Sequence, residues 1–163
     1  MATPEIIPDT HHVARYVPKR LQVRDVEDRL QGVFPEAFEL AAEKNGYPEE
    51  WLSTTWLEFF QTATSRDEQC VCVMNAMKTT GFEPKRSGAL AILSVGRLIQ
   101  NGRACLLKLR LRVLHEPKLG KGNPAYAPVR GYKAGCPKDV IHDVFVVGAC
   151  VQVLEVGKLP PPS

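Results

Sequence analysis

The stretch Cys105-Leu106-Leu107-Lys108-Leu109-Arg110-Leu111-Arg112-Val113-Leu114-His115 decides how this chain is read. Over 107–113, leucines and a valine alternate with Lys108, Arg110 and Arg112. Successive side chains of a strand point to opposite faces, so the alternation predicts a half-buried strand, leucines inward and cations toward water. A helix would scatter both sets around its cylinder and leave no apolar stripe. Upstream, residues 88–100 are nearly continuously apolar, as a buried strand is. Asn101-Gly102 stands between the two runs, and Asn-Gly favours the tight turn of a hairpin. The expectation is a central antiparallel hairpin of residues 89–99 and 104–114.

The rest of the chain is read outward from that hairpin. Val13, Tyr16 and Val17 mark a short strand over 12–17, ended by Pro18, which cannot donate to a ladder. Residues 36–44 fit either a helix begun at Pro35 and stopped at Asn45-Gly46 or a strand over 37–40. Trp56, Phe59 and Phe60 recur at i, i+3, i+4 behind Ser53 and Thr54, which predicts a helix over 54–62 with an aromatic core stripe. Ser65 and Glu68 have the spacing of a capping box, and Cys70, Val73, Met74 and Met77 follow at helical spacing, which predicts a helix over 66–79. Residues 118–128 read as a loop and 129–132 as a short edge strand. Val140, Val144, Val147 and Val151 stack at helical spacing, so 138–155 is read as a helix, although β-branched residues favour the strand alternative. The fold class expected is α+β: an antiparallel sheet with helices packed on one face. A flexible arm over 1–10, a single domain over 11–157 and a disordered tail over 158–163 complete the plan.

The 163 residues suit one domain with a sizeable core. The five cysteines show no C-x-x-C pair, and no His-x-x-x-His occurs, so reduced core thiols are expected, with no metal and no cofactor. No apolar run is long enough for a bilayer and the N-terminus lacks the shape of a signal peptide. A cytosolic protein without membrane contact is expected. The net charge of +3 hides a segregation. Residues 1–82 carry 8 basic and 13 acidic residues, and residues 83–163 carry 13 basic and 5 acidic. Within 84–138, twelve cations face the single acid Glu116. Such asymmetry marks a polyanion-binding face, or two halves that pack together within or between chains.

The segment Leu52-Ser53-Thr54-Thr55-Trp56-Leu57-Glu58-Phe59-Phe60, with Arg15-Tyr16 upstream and Leu93-Ser94-Val95-Gly96 downstream, resembles a group of small uncharacterised bacterial proteins. Those proteins carry a similar Leu-Ser-x-x-Trp-Leu-Glu segment. The resemblance implies a bacterial source and a single compact domain, and transfers no activity or site residue.

Four sets of residues bear on function. Lys108, Arg110 and Arg112 on one strand face, Arg97 and Arg103 beside the hairpin, and Lys118, Lys121, Arg130 and Lys133 in the following loops form a candidate basic face. Tyr126 and Tyr132 are its candidates for stacking on bases of single-stranded nucleic acid. Lys118-Leu119-Gly120-Lys121-Gly122 misses the P-loop spacing and reads as a connector. His115 with Glu116, or His142 with Asp143, would supply an acid–base pair, and Cys136 or Cys150 a nucleophile, if the fold gave them geometry. Opposite charge in the two halves favours a protein partner or homo-oligomer by electrostatic complementarity. This last reading asks least of the sequence: a non-catalytic protein-interaction module, with polyanion binding second and a small enzyme third.

Overall fold

The computed structural model describes residues 4–160 of the chain. The fold is α+β in a single domain, as the sequence predicts. Its centre is β6 (Ala89–Ser94), with β2 (His12–Val17) on one side and β9 (Cys150–Glu155) on the other, both antiparallel. β5 (Thr55–Trp56) extends this sheet beyond β2. A second sheet runs β1 (Glu5–Ile6), β7 (Arg112–His115), β8 (Val129–Arg130). Leu52 and Val129 exchange backbone hydrogen bonds of 2.9 Å, and the Trp56 N–H donates to Ala125 O at 2.8 Å, so the two sheets join edge to edge. A separate hairpin pairs β3 (Gln22–Arg24) with β4 (Leu30–Val33).

Alternation along β2 and β6 sorts two cores. Val13, Val17, Ala91 and Leu93 face Val95, Leu98, Val144 and Phe145. Ala14, Leu90 and Ile92 face Cys70 and Val73 of α1 (Arg66–Lys78). Helices therefore cover both faces of the sheet, which corrects the expectation of one. The run Ala89-Leu90-Ala91-Ile92-Leu93 is buried throughout because neither of its faces meets water. α1 begins where the sequence places it, with Ser65 Oγ accepting the Glu68 N–H at 3.1 Å.

The central hairpin does not form. At Ser94 the chain turns into α2 (Val95–Ala104), and Ser94 Oγ caps it by accepting the Arg97 N–H at 3.3 Å. Val95, Leu98 and Gly102 are buried on one side, while Arg97, Gln100 and Arg103 are exposed. This is helical period, and it outweighs the β-branched content of the run. A type I′ turn needs positive φ at both central residues. Neither Asn101 nor Gly102 has it. Gly102 instead permits close approach: a Cβ there would meet Leu111 Cδ1 at 3.0 Å and Leu109 O at 3.3 Å.

Three other expectations are corrected. Residues 54–62 hold β5 and turns in place of a helix; Trp56, Phe59 and Phe60 still cluster, with ring centroids 6.0 and 5.4 Å apart. The helix expected over 138–155 is α3 (Lys138–Ile141), which widens into a π-turn over His142–Val147 and yields at Gly148 to β9. Of the flexible arm expected over 1–10, residues 1–3 lie outside the described residues, and the rest is anchored, because Glu5 pairs with His115, Ile6 with Leu114, and Ile7 is 1% exposed. Residues 36–44 form a short 3-10 turn (Pro35–Phe38) and irregular chain. The tail expected over 158–163 lies partly outside the described residues; Val156–Lys158 is a 3-10 turn and Leu159 packs on the α1 core. Among the described residues no helix is long and apolar enough to cross a membrane.

If β6 is dry on both faces, truncation on either should cost alike. Leu90→Ala and Leu93→Ala are each expected to lower unfolding free energy by about 2–5 kcal/mol, read from urea midpoints.

Candidate functional site

The basic stretch leaves α2 through a turn. The Lys108 N–H donates to Cys105 O at 2.9 Å and the Leu109 N–H to Gly102 O at 2.8 Å, with Lys108 in the left-handed region at φ 49°. The alternation read from sequence begins only after this turn. Leu111 and Val113 are buried and Leu109 is half-buried, while Arg110 and Arg112 point to water. Lys108 is exposed on the turn, so the three cations do not share one strand face. Leu107, expected at the start of the inward row, is 50% exposed, and Leu106 before it is 92% exposed.

The other cations fall into three settings. Arg97 and Arg103 lie on the outer side of α2 and line one shallow hollow with Asp9 and Gln100. Arg130 stands opposite Arg112 across β7 and β8 but is neutralised. Glu116 takes two hydrogen bonds from it, at 2.9 and 3.1 Å, and its guanidinium lies 4.5 Å over the Trp51 ring. The carboxylate of Glu116 raises the Arg130 pKa. The chain carrying Lys133 passes Arg110 at Gly131, whose φ of +109° and lack of a Cβ permit contact with the Arg110 carbonyl. Lys118 and Lys121 sit apart, beside the end of α1, where Thr79 Oγ1 donates to Gly122 O at 2.8 Å. Both candidate tyrosines are tied into the fold by their hydroxyls. Tyr132 is buried with its hydroxyl donating to Phe38 O at 2.6 Å. Tyr126 is half-buried, with its hydroxyl held by Trp51 Nε1 at 2.8 Å and Ser53 Oγ at 2.7 Å.

Pairing differs between the halves. Lys19, Arg24, Arg29 and Lys44 of the N-terminal half each meet a carboxylate. Arg97, Arg103, Lys108, Arg110, Arg112, Lys118, Lys121 and Lys133 are all exposed, and none has a carboxylate within ion-pairing distance among the described residues. The acidic half meets the Lys and Arg side chains of the basic stretch 84–138 by one ion pair among the described residues, Lys138 with Glu36 at 3.2 Å.

The expected acid–base pairs do not assemble into a site. His115 is turned from Glu116: its ring packs on Trp56 and Phe59, each at 5.3 Å, and Nε2 donates to Pro124 O at 2.7 Å. His142 and Asp143 stand 3.6 Å apart with side chains 48% and 77% exposed. Burial raises the thiol pKa of Cys136 and Cys150, away from the thiolate a nucleophile requires, and all five cysteines are free. The fold creates a pair that lies 46 positions apart in sequence. Glu58 accepts from the His12 backbone N–H and holds His12 Nδ1, both at 2.7 Å. Burial alone would raise the Glu58 carboxyl, but these two hydrogen bonds outweigh it and hold the group below its usual 4.5. Ser94 is the cross-strand neighbour of His12. Its oxygen already caps α2, and the Val95 and Gly96 N–H groups donate to His11 O and Asp9 O, so no donor there is left for an oxyanion. No group of three His, Cys, Asp or Glu suited to a metal occurs among the described residues.

A scan against protein-family models, a search of curated proteins and a search of solved structures each gave no match to this chain. The site therefore has to be read from its own residues.

Arg15 braces this region from β2, donating Nε to Ala37 O and Nη1 to Ser53 O, each at 3.1 Å. Loss of water around it lowers its pKa, and no carboxylate pairs with it among the described residues. Arg15→Met removes two charge-assisted bonds and leaves two carbonyls unmet. It should lower stability by about 2–4 kcal/mol in chemical denaturation. For Glu58 the sign follows from a depressed folded pKa: its stabilisation is full above the ordinary 4.5 and fades as pH falls through the lower folded value. The gap in urea midpoint between wild type and Glu58→Gln should be widest near neutrality and close as the solution is acidified.

Proposed function

We propose that this protein is a cytosolic, non-catalytic binding module that takes an acidic protein partner on the cationic surface between positions 97 and 133. The observation that supports the reading is that eight exposed cations between positions 97 and 133 lack a carboxylate partner among the described residues, Arg130 being the one cation of that stretch that has one, whereas four of the eight cations in residues 1–82 are paired. Fixed like charges that nothing screens raise the local potential, steer an oppositely charged surface and repel a cationic one. Arg110 and Arg112 project from chain held rigid by Leu109, Leu111 and Val113, and rigid presentation limits the entropy lost on contact.

Single-stranded nucleic acid is the second reading of the same charge. It ranks second because non-specific strand binding draws on exposed aromatic faces as well as cations, and of the two candidate tyrosines Tyr132 is buried and Tyr126 is half-buried with its hydroxyl held by Trp51 and Ser53. A catalytic reading has the Glu58–His12 pair but no acceptor geometry beside it.

Titration of labelled polyglutamate and of a single-stranded oligonucleotide of equal charge, at several salt concentrations, tests the proposal. Polyglutamate is expected to bind in low salt, and Lys108→Ala/Arg110→Ala/Arg112→Ala to weaken it about tenfold or more. No binding of polyglutamate in low salt, or binding unchanged in the triple variant, contradicts the reading. Much tighter binding of the oligonucleotide would move the assignment to nucleic acid.

A further inference from the structure

Three of the chain's four histidines gather at the corner where β2, β5 and β7 meet. Each ring has a partner that fixes where its proton sits. Pro124 O can only accept, so His115 carries a proton on Nε2; its Nδ1 stands 3.8 Å from Glu5 Oε2. Glu58 holds His12 Nδ1 at 2.7 Å, and an ionised carboxylate only accepts, so Nδ1 is the N–H of that ring. His11 is the exception. Trp56 Nε1 lies 3.0 Å from His11 Nδ1, and an indole nitrogen only donates. His11 Nδ1 therefore offers a lone pair, with the ring neutral and its proton on Nε2.

A second proton has opposite consequences for these rings. His12 and His115 keep the bonds they make and place a cation beside Glu58 and Glu5. His11 loses its bond, because two N–H groups then point at each other. Trp56 is 7% exposed and its indole N–H has no other partner among the described residues, so release leaves a buried donor unmet. The backbone at this corner carries the neighbouring elements. The Val95 N–H donates to His11 O at 3.1 Å and the Gly96 N–H to Asp9 O at 2.9 Å, which anchors the start of α2. The Leu57 N–H donates to His12 O at 3.0 Å, and the Trp56 backbone N–H joins the two sheets through Ala125 O. The charged groups that face the corner are Glu58 bound to His12, Glu5 beside His115, and Asp9, which shares the hollow on α2 with Arg97 and Arg103. None of them bonds the His11 ring among the described residues.

We propose that His11 and Trp56 form an acid-released latch: protonation of His11 breaks the indole bond, frees Trp56 and loosens the seam that the start of α2 shares with β2. The proton is the ligand, and the response is conformational. Because α2 carries Arg97 and Arg103, loosening its start reaches the cationic surface. The latch does not depend on which partner those cations take.

Nuclear magnetic resonance on the full chain tests it. At neutral pH the imidazole nitrogens of His11 should show the proton on Nε2 alone; a proton on Nδ1 overturns the latch without recourse to any variant. As pH falls through the range in which histidines titrate, the Trp56 indole N–H resonance should move, while that of Trp51, held by Tyr126, stays. His11→Asn offers an amide oxygen that accepts and does not titrate, and in it the Trp56 titration should vanish. His115→Gln should keep that titration, although His115 packs on the same indole. Amide protection at Val95 and Gly96 should fall about tenfold or more across the wild-type titration and hold steady in His11→Asn. Circular dichroism checks that both variants fold. The inference is overturned by a Trp56 resonance that does not titrate, by a titration that survives in His11→Asn or is lost in His115→Gln, or by unchanged protection at Val95 and Gly96.

Discussion

Ala89, Leu90, Ala91, Ile92 and Leu93 are buried on both sides of one sheet, and every other element is arranged to keep them so. A strand with two dry faces needs a layer on each. α1 supplies one with Cys70 and Val73; α2 and the π-turn supply the other with Leu98, Val144 and Phe145. The chain must also leave that strand without stranding polar backbone groups, and it does so at Ser94, where the cap and the carbonyls of His11 and Asp9 satisfy the first N–H groups of α2. This exit settles the direction of α2, and α2 settles where the basic stretch emerges.

That sequence of constraints explains why some of the architecture was legible and some was not. The strand over His12–Val17 and the helix over Arg66–Lys78 announce themselves through Pro18 and through Ser65 with Glu68, which are local signals. The hairpin failed because Asn-Gly is ambiguous: it suits a tight turn, and it also suits a helix end. Only the tertiary contact of Gly102 with Leu111 separates the two. A helical period through Val95, Leu98 and Gly102 behind Ser94 was the signal available, and the apolar run before it masked the change of period. The aromatic cluster at Trp56, Phe59 and Phe60 was a sound reading of burial and a wrong reading of conformation, since three aromatics pack together from a turn as well as from a helix.

For the candidate surface the division is similar. Outward placement of Arg110 and Arg112 followed from alternation alone. Lys108 lies one residue inside a left-handed turn that no period reveals. Leu106 and Leu107 are exposed against their hydropathy, because they fall in the turn between α2 and β7. The Glu58–His12 pair, the Arg15 brace and the neutralisation of Arg130 by Glu116 arise only from folding. The exposed cations of the C-terminal half are left in separate places: on α2, on the turn and strand that follow it, and at Lys118 and Lys121 beside the end of α1.

Amide hydrogen exchange measures this account most directly, because α2 and its exit differ from a hairpin in which N–H groups are shielded. Protection should be strongest in β6 and continuous into α2, then drop across Leu106 and Leu107, which have no backbone partner in the structure, before returning in β7. Strong protection at Leu106 and Leu107, alternating through residue 114 as a ladder against 89–99 would give, would contradict it: the turn would then be an interior strand and the cations its outer face.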